Sequence, residues 1–239
     1  MDVDRLRNVA LIGHSGEGKT TLAEAILFNC NAIDRQGKVE DGNTVSDYDK
    51  MEIEKGFSIN TSVVPIIWKD NKINFIDTPG YFDFVEEVNA AMRASEAAVI
   101  LVDAGAGVQI GTEHAWNACE RYKMPRFIVI NKRDKDEFDF YKTFGELKER
   151  FGEKLIPFSW PLSVEIDEEL KEAIASADDE LMEKYLMEES VLNVGVFDED
   201  SRFKSNGGFA KINKVFANKL ESIVLELNEY LYDDGGRTA

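Results

Sequence analysis

The sequence predicts an α/β protein, a mostly parallel sheet with helices on both faces. Short apolar runs alternate with helical segments from residue 8 to residue 131. Several of those runs end in turns built from glycine, aspartate or asparagine, so polar chemistry collects at strand ends. Right-handed crossovers carry the carboxyl ends of parallel strands to one edge, where ligands bind.

The elements follow in order. Residues 8–12 (NVALI) read as a buried strand, followed by a glycine-rich turn and a helix from residue 19 to about 28. Residues 34–56 are polar and charged without a steady period, and are expected to form a long mobile loop. Loops of that length are uncommon in compact domains and often functional. Residues 59–68 and 72–77 read as strands of a hairpin around Lys69-Asp70-Asn71. A helix over 84–94, a strand over 97–103, a helix over 112–122 and a strand over 126–131 complete the alternation. Beyond Asp134 the pattern loosens. Residues 138–151 and 165–187 read as acidic helices, 190–197 as a last strand, and 233–239 as a frayed tail. Ile212, Val215, Phe216, Leu220, Ile223, Leu227 and Leu231 form one helical stripe, expected to face the core.

With 239 residues, 44% hydrophobic and 31% charged, the chain is long enough for one sizeable core. A net charge of −18 argues against direct nucleic-acid binding, which needs a basic footprint. It would also repel a polyphosphate, so such a site must build local positive potential from a lysine, backbone amides and a metal. Cys30 and Cys119 are isolated, which suits a reduced compartment. The sequence shows no signal-peptide pattern and no apolar run of membrane length, so a cytoplasmic protein is expected.

Gly13-His14-Ser15-Gly16-Glu17-Gly18-Lys19-Thr20 fits G-x-x-x-x-G-K-[ST] between a strand and a helix, the context that makes it a phosphate-binding P-loop. Its backbone N–H groups, with Thr21 next in line, would curl around phosphates at the positive end of a helix. Lys19 would supply charge to the outer phosphates and Thr20 a hydroxyl to Mg²⁺. Asp77-Thr78-Pro79-Gly80 closes another strand: Asp77 would hold the metal through water, and the Gly80 amide would meet a terminal phosphate. Asn131-Lys132-Arg133-Asp134 gives N-K-x-D. The Asp134 carboxylate can accept from N1–H and the exocyclic amine of guanine, a pair adenine lacks. Asn131 would brace the loop and the stem of Lys132 would cover the ring.

Three motifs in this order place the chain among P-loop NTPases. NVALIGHSGEGKTTLAEAILF, IDTPGYFDF, LVDAGAGVQIGTEHAW and NKRD together resemble the GTP-binding domain of translational GTPases, nearest to elongation factor G and its paralogues, including ribosomal-protection proteins. The resemblance covers residues 5–135 well and the remainder patchily. It implies GTP and GDP with Mg²⁺ as ligands, GTP hydrolysis that Tyr81 is expected to keep slow, a monomer, and the ribosome as partner through domains that this chain does not hold. The chain then reads as one GTP-binding domain over 1–239, either isolated or from a truncated paralogue. Residues 34–58 are its first switch loop and 135–200 a divergent acidic helical segment. Glu54-Lys55-Gly56-Phe57-Ser58-Ile59 falls where the family reads E-R-G-I-T-I, which makes Ser58 the hydroxyl that closes over Mg²⁺. Ser201-Arg202 is the candidate base-backing loop, with a plain surface turn as the alternative.

The departures from the family concern mechanism. Ser15 and Gly16 replace an apolar residue and an aspartate of the family's phosphate loop. Ser15 and Phe57 stand at the apolar gate that flanks the family's water-orienting histidine, and Tyr81 stands in place of that histidine. A phenol cannot carry the charge of a protonated imidazole at pH 7. Tyr81 would either orient water weakly, as a catalytic residue beside Lys19 and Gly80, or pack against Phe82 and Phe84. The cluster of aromatics favours packing.

Overall fold

The computed structural model describes residues 5–68, 70–132, 139–152, 155, 186, 196–197 and 203–204. The predicted site residues Asp134, Ser201 and Arg202 lie outside them, as do the stripe over 212–231 and, Leu186 apart, the helix expected over 165–187.

The chain divides into two units, residues 1–139 and 140–238. The first unit holds β1 (Leu6–Gly13), α1 (Lys19–Asn29), α2 (Lys50–Lys55), β2 (Ser62–Trp68), β3 (Asn71–Asp77), α3 (Val85–Ala94), β4 (Ala97–Asp103), α4 (Ile110–Tyr122) and β5 (Arg126–Asn131). Its sheet runs β2-β3-β1-β4-β5. β1 pairs in parallel with β3 and β4, β4 with β5, and only the β2–β3 hairpin is antiparallel.

β1 and β4 lie at the centre and are buried on both faces. Val9, Ala10, Leu11 and Ile12 are each at most 1% exposed, and Ala97 to Val102 are all buried. This is why they read as unbroken apolar runs rather than alternating ones. β2, at the edge, does alternate: Val64 and Ile66 are buried while Val63, Pro65 and Ile67 are exposed. α1 packs against β1, β2 and β3, whereas α3 and α4 pack on each other and on β1. The parallel strands therefore deliver Gly13, Asp77, Asp103 and Asn131 to one edge.

One element was not anticipated. The stretch expected to be a mobile loop contains α2, which starts with a reciprocal capping box. Asp49 accepts from the Met51 amide at 2.8 Å, and Glu52 accepts from the Asp49 amide at 3.1 Å. Gly56, at φ 69°, ends it in the left-handed conformation that suits glycine. The signal was present as D-x-x-E followed by glycine, but a helix of six residues is too short to show a hydrophobic period.

In the second unit, α5 (Phe140–Phe151) agrees with the helix expected over 138–151. A two-stranded antiparallel ladder joins β6 (Val196–Phe197) to β7 (Phe203–Lys204). β6 falls at the end of the strand expected over 190–197.

Candidate functional site

The turn between β1 and α1 is closed by side chains, Glu17 and Lys19, that bond its own backbone. Gly18, at φ 92°, caps α1, and a side chain there would meet the Asn131 amide nitrogen at 2.6 Å. Lys19 is the first helical residue and only 6% exposed. Its ammonium folds back to donate to the carbonyls of His14 at 2.7 Å and Gly13 at 3.2 Å. Burial lowers its pKa, against the pull of Asp77, Glu17 and Asp47. His14 packs on the start of α4 beside Gly111, and its pKa is lowered by burial and by Lys19. Gly16 is exposed at the tip, and Thr21 sits on the exposed side of the first turn of α1.

Three residues called out from separate motifs meet beside Lys19. Thr20 donates its hydroxyl to Asp77 Oδ2 at 2.8 Å, and Ser58 Oγ lies 3.1 Å from Thr20 Oγ1. Asp77 is 1% exposed, and burial pushes its carboxyl up to about 6 despite Thr20 and Lys19. Its other oxygen, Oδ1, is buried without a hydrogen-bond partner, as are Asp47 Oδ2 and Ser46 Oγ. Unsatisfied buried oxygens beside hydroxyls are the donor set of a hard cation such as Mg²⁺, so these residues fit the metal. Among the described residues no group of three or more His, Cys, Asp or Glu is arranged to hold a metal alone.

Gly80 approaches the same place from the β3 side. A side chain on it would lie 2.5 Å from Lys19 Nζ and 2.6 Å from Ser15 Cα, so only glycine lets the turn lie against the phosphate loop. At the end of β5, Asn131 Nδ2 donates to the Glu17 carbonyl at 2.9 Å. Lys132, at φ 60°, bonds the Gly16 carbonyl at 2.5 Å and Asp103 Oδ2 at 2.7 Å, which lays its stem across the loop.

Tyr81 departs from expectation. It is 43% exposed, outside any core, and its ring sits 4.6 Å from that of Phe57. Phe82 pairs instead with His114 at 5.1 Å. The packing expected among Tyr81, Phe82 and Phe84 is therefore replaced by a contact between Tyr81 and the end of the 34–58 segment. Phe82–Phe84 form a 3-10 turn preceded by Tyr81, and at about three residues per turn successive aromatics point in different directions, which adjacency in sequence conceals.

Comparison with known proteins decides what carries this geometry. Residues 4–227 match the family model of the elongation factor Tu GTP binding domain. The chain belongs to that family. It is 40% identical over 163 residues to elongation factor G of Granulibacter bethesdensis and 39% over 163 residues to that of Gluconobacter oxydans. Each alignment covers 68% of this chain but only 24% and 23% of the relative, so the chain spans about a quarter of their length. A crystal structure from Thermus thermophilus superposes with a TM-score of 0.69 at 30% identity, covering 90% of this chain and 36% of that one. The fold is that of a P-loop NTPase, and the chain is a translational GTPase domain.

Within this GTPase domain several residues of the site escaped sequence reading. Asp47, 5% exposed, faces Ser58, and its carboxyl is raised by burial. Glu24, on α1, accepts from the amides of Gly37 at 2.8 Å and Val45 at 2.5 Å. Glu52 accepts from Ile59 and Asn60 at 2.9 Å each. Thr61, which follows them, donates its amide to Glu87 of α3 at 2.9 Å. Asp103 holds Lys132 in place. A buried carboxylate has no apolar period, so nothing in the linear pattern distinguishes these from solvated acids.

Proposed function

We propose that this domain binds GTP and GDP with Mg²⁺, hydrolyses GTP slowly, and serves as the nucleotide-binding domain of an elongation factor G-like translation factor acting on the ribosome in the cytoplasm. The observation that carries this is the junction of Thr20, Ser58 and Asp77 beside Lys19, with Gly80 lying against the same loop. Thr20 and Ser58 would hold Mg²⁺ directly, and Asp77 and Asp47 would hold its waters. The metal would neutralise the phosphate oxygens and fix their geometry. The chain's own share is positioning: Lys19 and the loop amides from Ser15 to Thr21 bind the phosphates, while the His14 amide, expected among them, is held by Glu17 Oε2 at 2.6 Å, and the Gly80 amide orients the terminal phosphate. Asn131, Lys132 and Asp134 select guanine, with Ser201-Arg202 proposed behind the base.

A second reading, a GTP-dependent docking switch with little catalysis, is supported by Tyr81. Its exposed ring rests on Phe57, so a phenol in an aromatic contact stands at the position following Gly80, where a water-orienting imidazole would be expected. Single-turnover GTP hydrolysis by the full-length protein, with and without ribosomes, separates the two. Stimulation by ribosomes supports the first reading. GTP-dependent ribosome binding without turnover supports the second, and ATP bound as tightly as GTP removes both.

A further inference from the structure

Glu17 is a charged side chain inside the phosphate loop, yet it is only 1% exposed. Both of its carboxyl oxygens are taken by the protein. Oε2 accepts the His14 amide at 2.6 Å, closing the loop on itself, and Oε1 accepts the Thr112 hydroxyl at 3.2 Å. Thr112 Oγ1 in turn accepts the Gln109 amide at 3.1 Å, so the chain of bonds runs into the first turn of α4. The Glu17 carbonyl accepts from Asn131 at 2.9 Å. One residue thus ties together the phosphate loop, the start of α4 and the strand end that carries N-K-x-D.

We propose that Glu17 is a positioning residue that clasps the phosphate loop to α4 and sets nucleotide affinity without touching the nucleotide, weakening it when ionised. The inference rests on the nucleotide-binding reading above. Its first half follows from the bonds: with both oxygens engaged, the side chain shapes the loop and offers nothing to a ligand. Its second half follows from charge, since a buried anion in the loop opposes a polyphosphate across a poorly screened interior. The charged or titratable groups facing it are Lys19 from α1, His14 within the loop and Asp103 at the end of β4, with Lys132 beyond, paired to Asp103. Burial raises the Glu17 carboxyl to about 7, outweighing Lys19, the His14 amide and the Thr112 hydroxyl, so its charge changes near neutrality.

The test is GDP affinity, by titration of a fluorescent GDP analogue with Mg²⁺ between about pH 6 and pH 8.5. Wild type is compared with Glu17→Gln, Glu17→Ala and Thr112→Val. Glutamine keeps both contacts without charge, its oxygen accepting from His14 and its amide donating to Thr112. Wild type and Glu17→Gln should therefore bind alike at pH 6, with wild type falling about tenfold behind by pH 8.5 as the carboxylate ionises. The ratio cancels titration of the nucleotide, His14 and Asp77, which both proteins share. Glu17→Ala and Thr112→Val should bind several-fold more weakly than Glu17→Gln throughout, because both break the clasp. Thr112→Val stands in if the alanine protein does not fold. A ratio of wild type to Glu17→Gln that stays constant with pH overturns the inference, as does alanine binding as tightly as glutamine. Wild type that binds no GDP at any pH overturns the nucleotide reading itself.

Discussion

Asp134 and Tyr81 divide the proposed activity between recognition and chemistry. Asp134→Asn should weaken GTP binding and move preference towards xanthine nucleotides, since an amide can donate to the carbonyl that replaces guanine's amine. Loss of a charged bidentate pairing costs roughly 2–4 kcal/mol, which nucleotide titrations would resolve. Tyr81→Phe should leave intrinsic hydrolysis within about twofold, because the ring contact with Phe57 survives and only the hydroxyl is lost. Tyr81→His should raise the rate, by less than the roughly 10²- to 10⁴-fold of a well-placed proton-handling group, because no partner drives the imidazole inward. Single-turnover assays check both, and a large loss in Tyr81→Phe would make the phenol catalytic.

At the scale of elements, the segment 34–61 is fastened more firmly than its composition suggests. Glu24 on α1, Glu52 on α2 and Glu87 on α3 each take backbone amides from it. Removing Glu52 would orphan the Ile59 and Asn60 amides and break the capping box of α2. Glu52→Ala should cost about 2–4 kcal/mol of local stability, against about 1 kcal/mol for Asp49→Ala, which removes the Asp49 side-chain half of the capping box but leaves the Ile59 and Asn60 amides paired. Limited proteolysis and amide exchange would read this: cleavage within 34–61 should rise strongly in Glu52→Ala and weakly in Asp49→Ala. A GTP analogue should protect both through Ser58, and protection that ignores the nucleotide would remove Ser58 from the site.

For the whole molecule, charge sets the response to pH and salt. A net charge of −18 works against the compact state, and added salt should raise the melting temperature. Glu17 acts in the same direction. Its carboxyl goes from about 4.5 in the unfolded chain to about 7 in the fold, so the folded form holds the proton more tightly. That contribution is complete below pH 4.5 and is lost as pH rises through 7, amounting to roughly 3 kcal/mol in all. Thermal melts without nucleotide should therefore show Glu17→Gln level with wild type near pH 4 and more stable near pH 8. A gap that does not widen with pH would show that the carboxyl titrates at its ordinary value.

The order of strands and helices, the hairpin and the positions of the phosphate loop, Asp77 and Asn131 were legible in the sequence. Apolar runs and glycine turns act over a few residues, so their pattern survives in one dimension. β4 and β5 were located to the residue, because each is a short apolar run between polar turns. Convergence was another matter. The bond between Thr20 and Asp77 spans 57 positions and that between Glu17 and Thr112 spans 95, and no local period records either. The same holds for the buried acids Glu17, Glu24, Asp47 and Glu52, which in sequence look like the solvated acids of a protein this acidic. What makes a carboxylate structural is the set of amides and hydroxyls that folding brings to it, and that set exists only after the sheet has assembled.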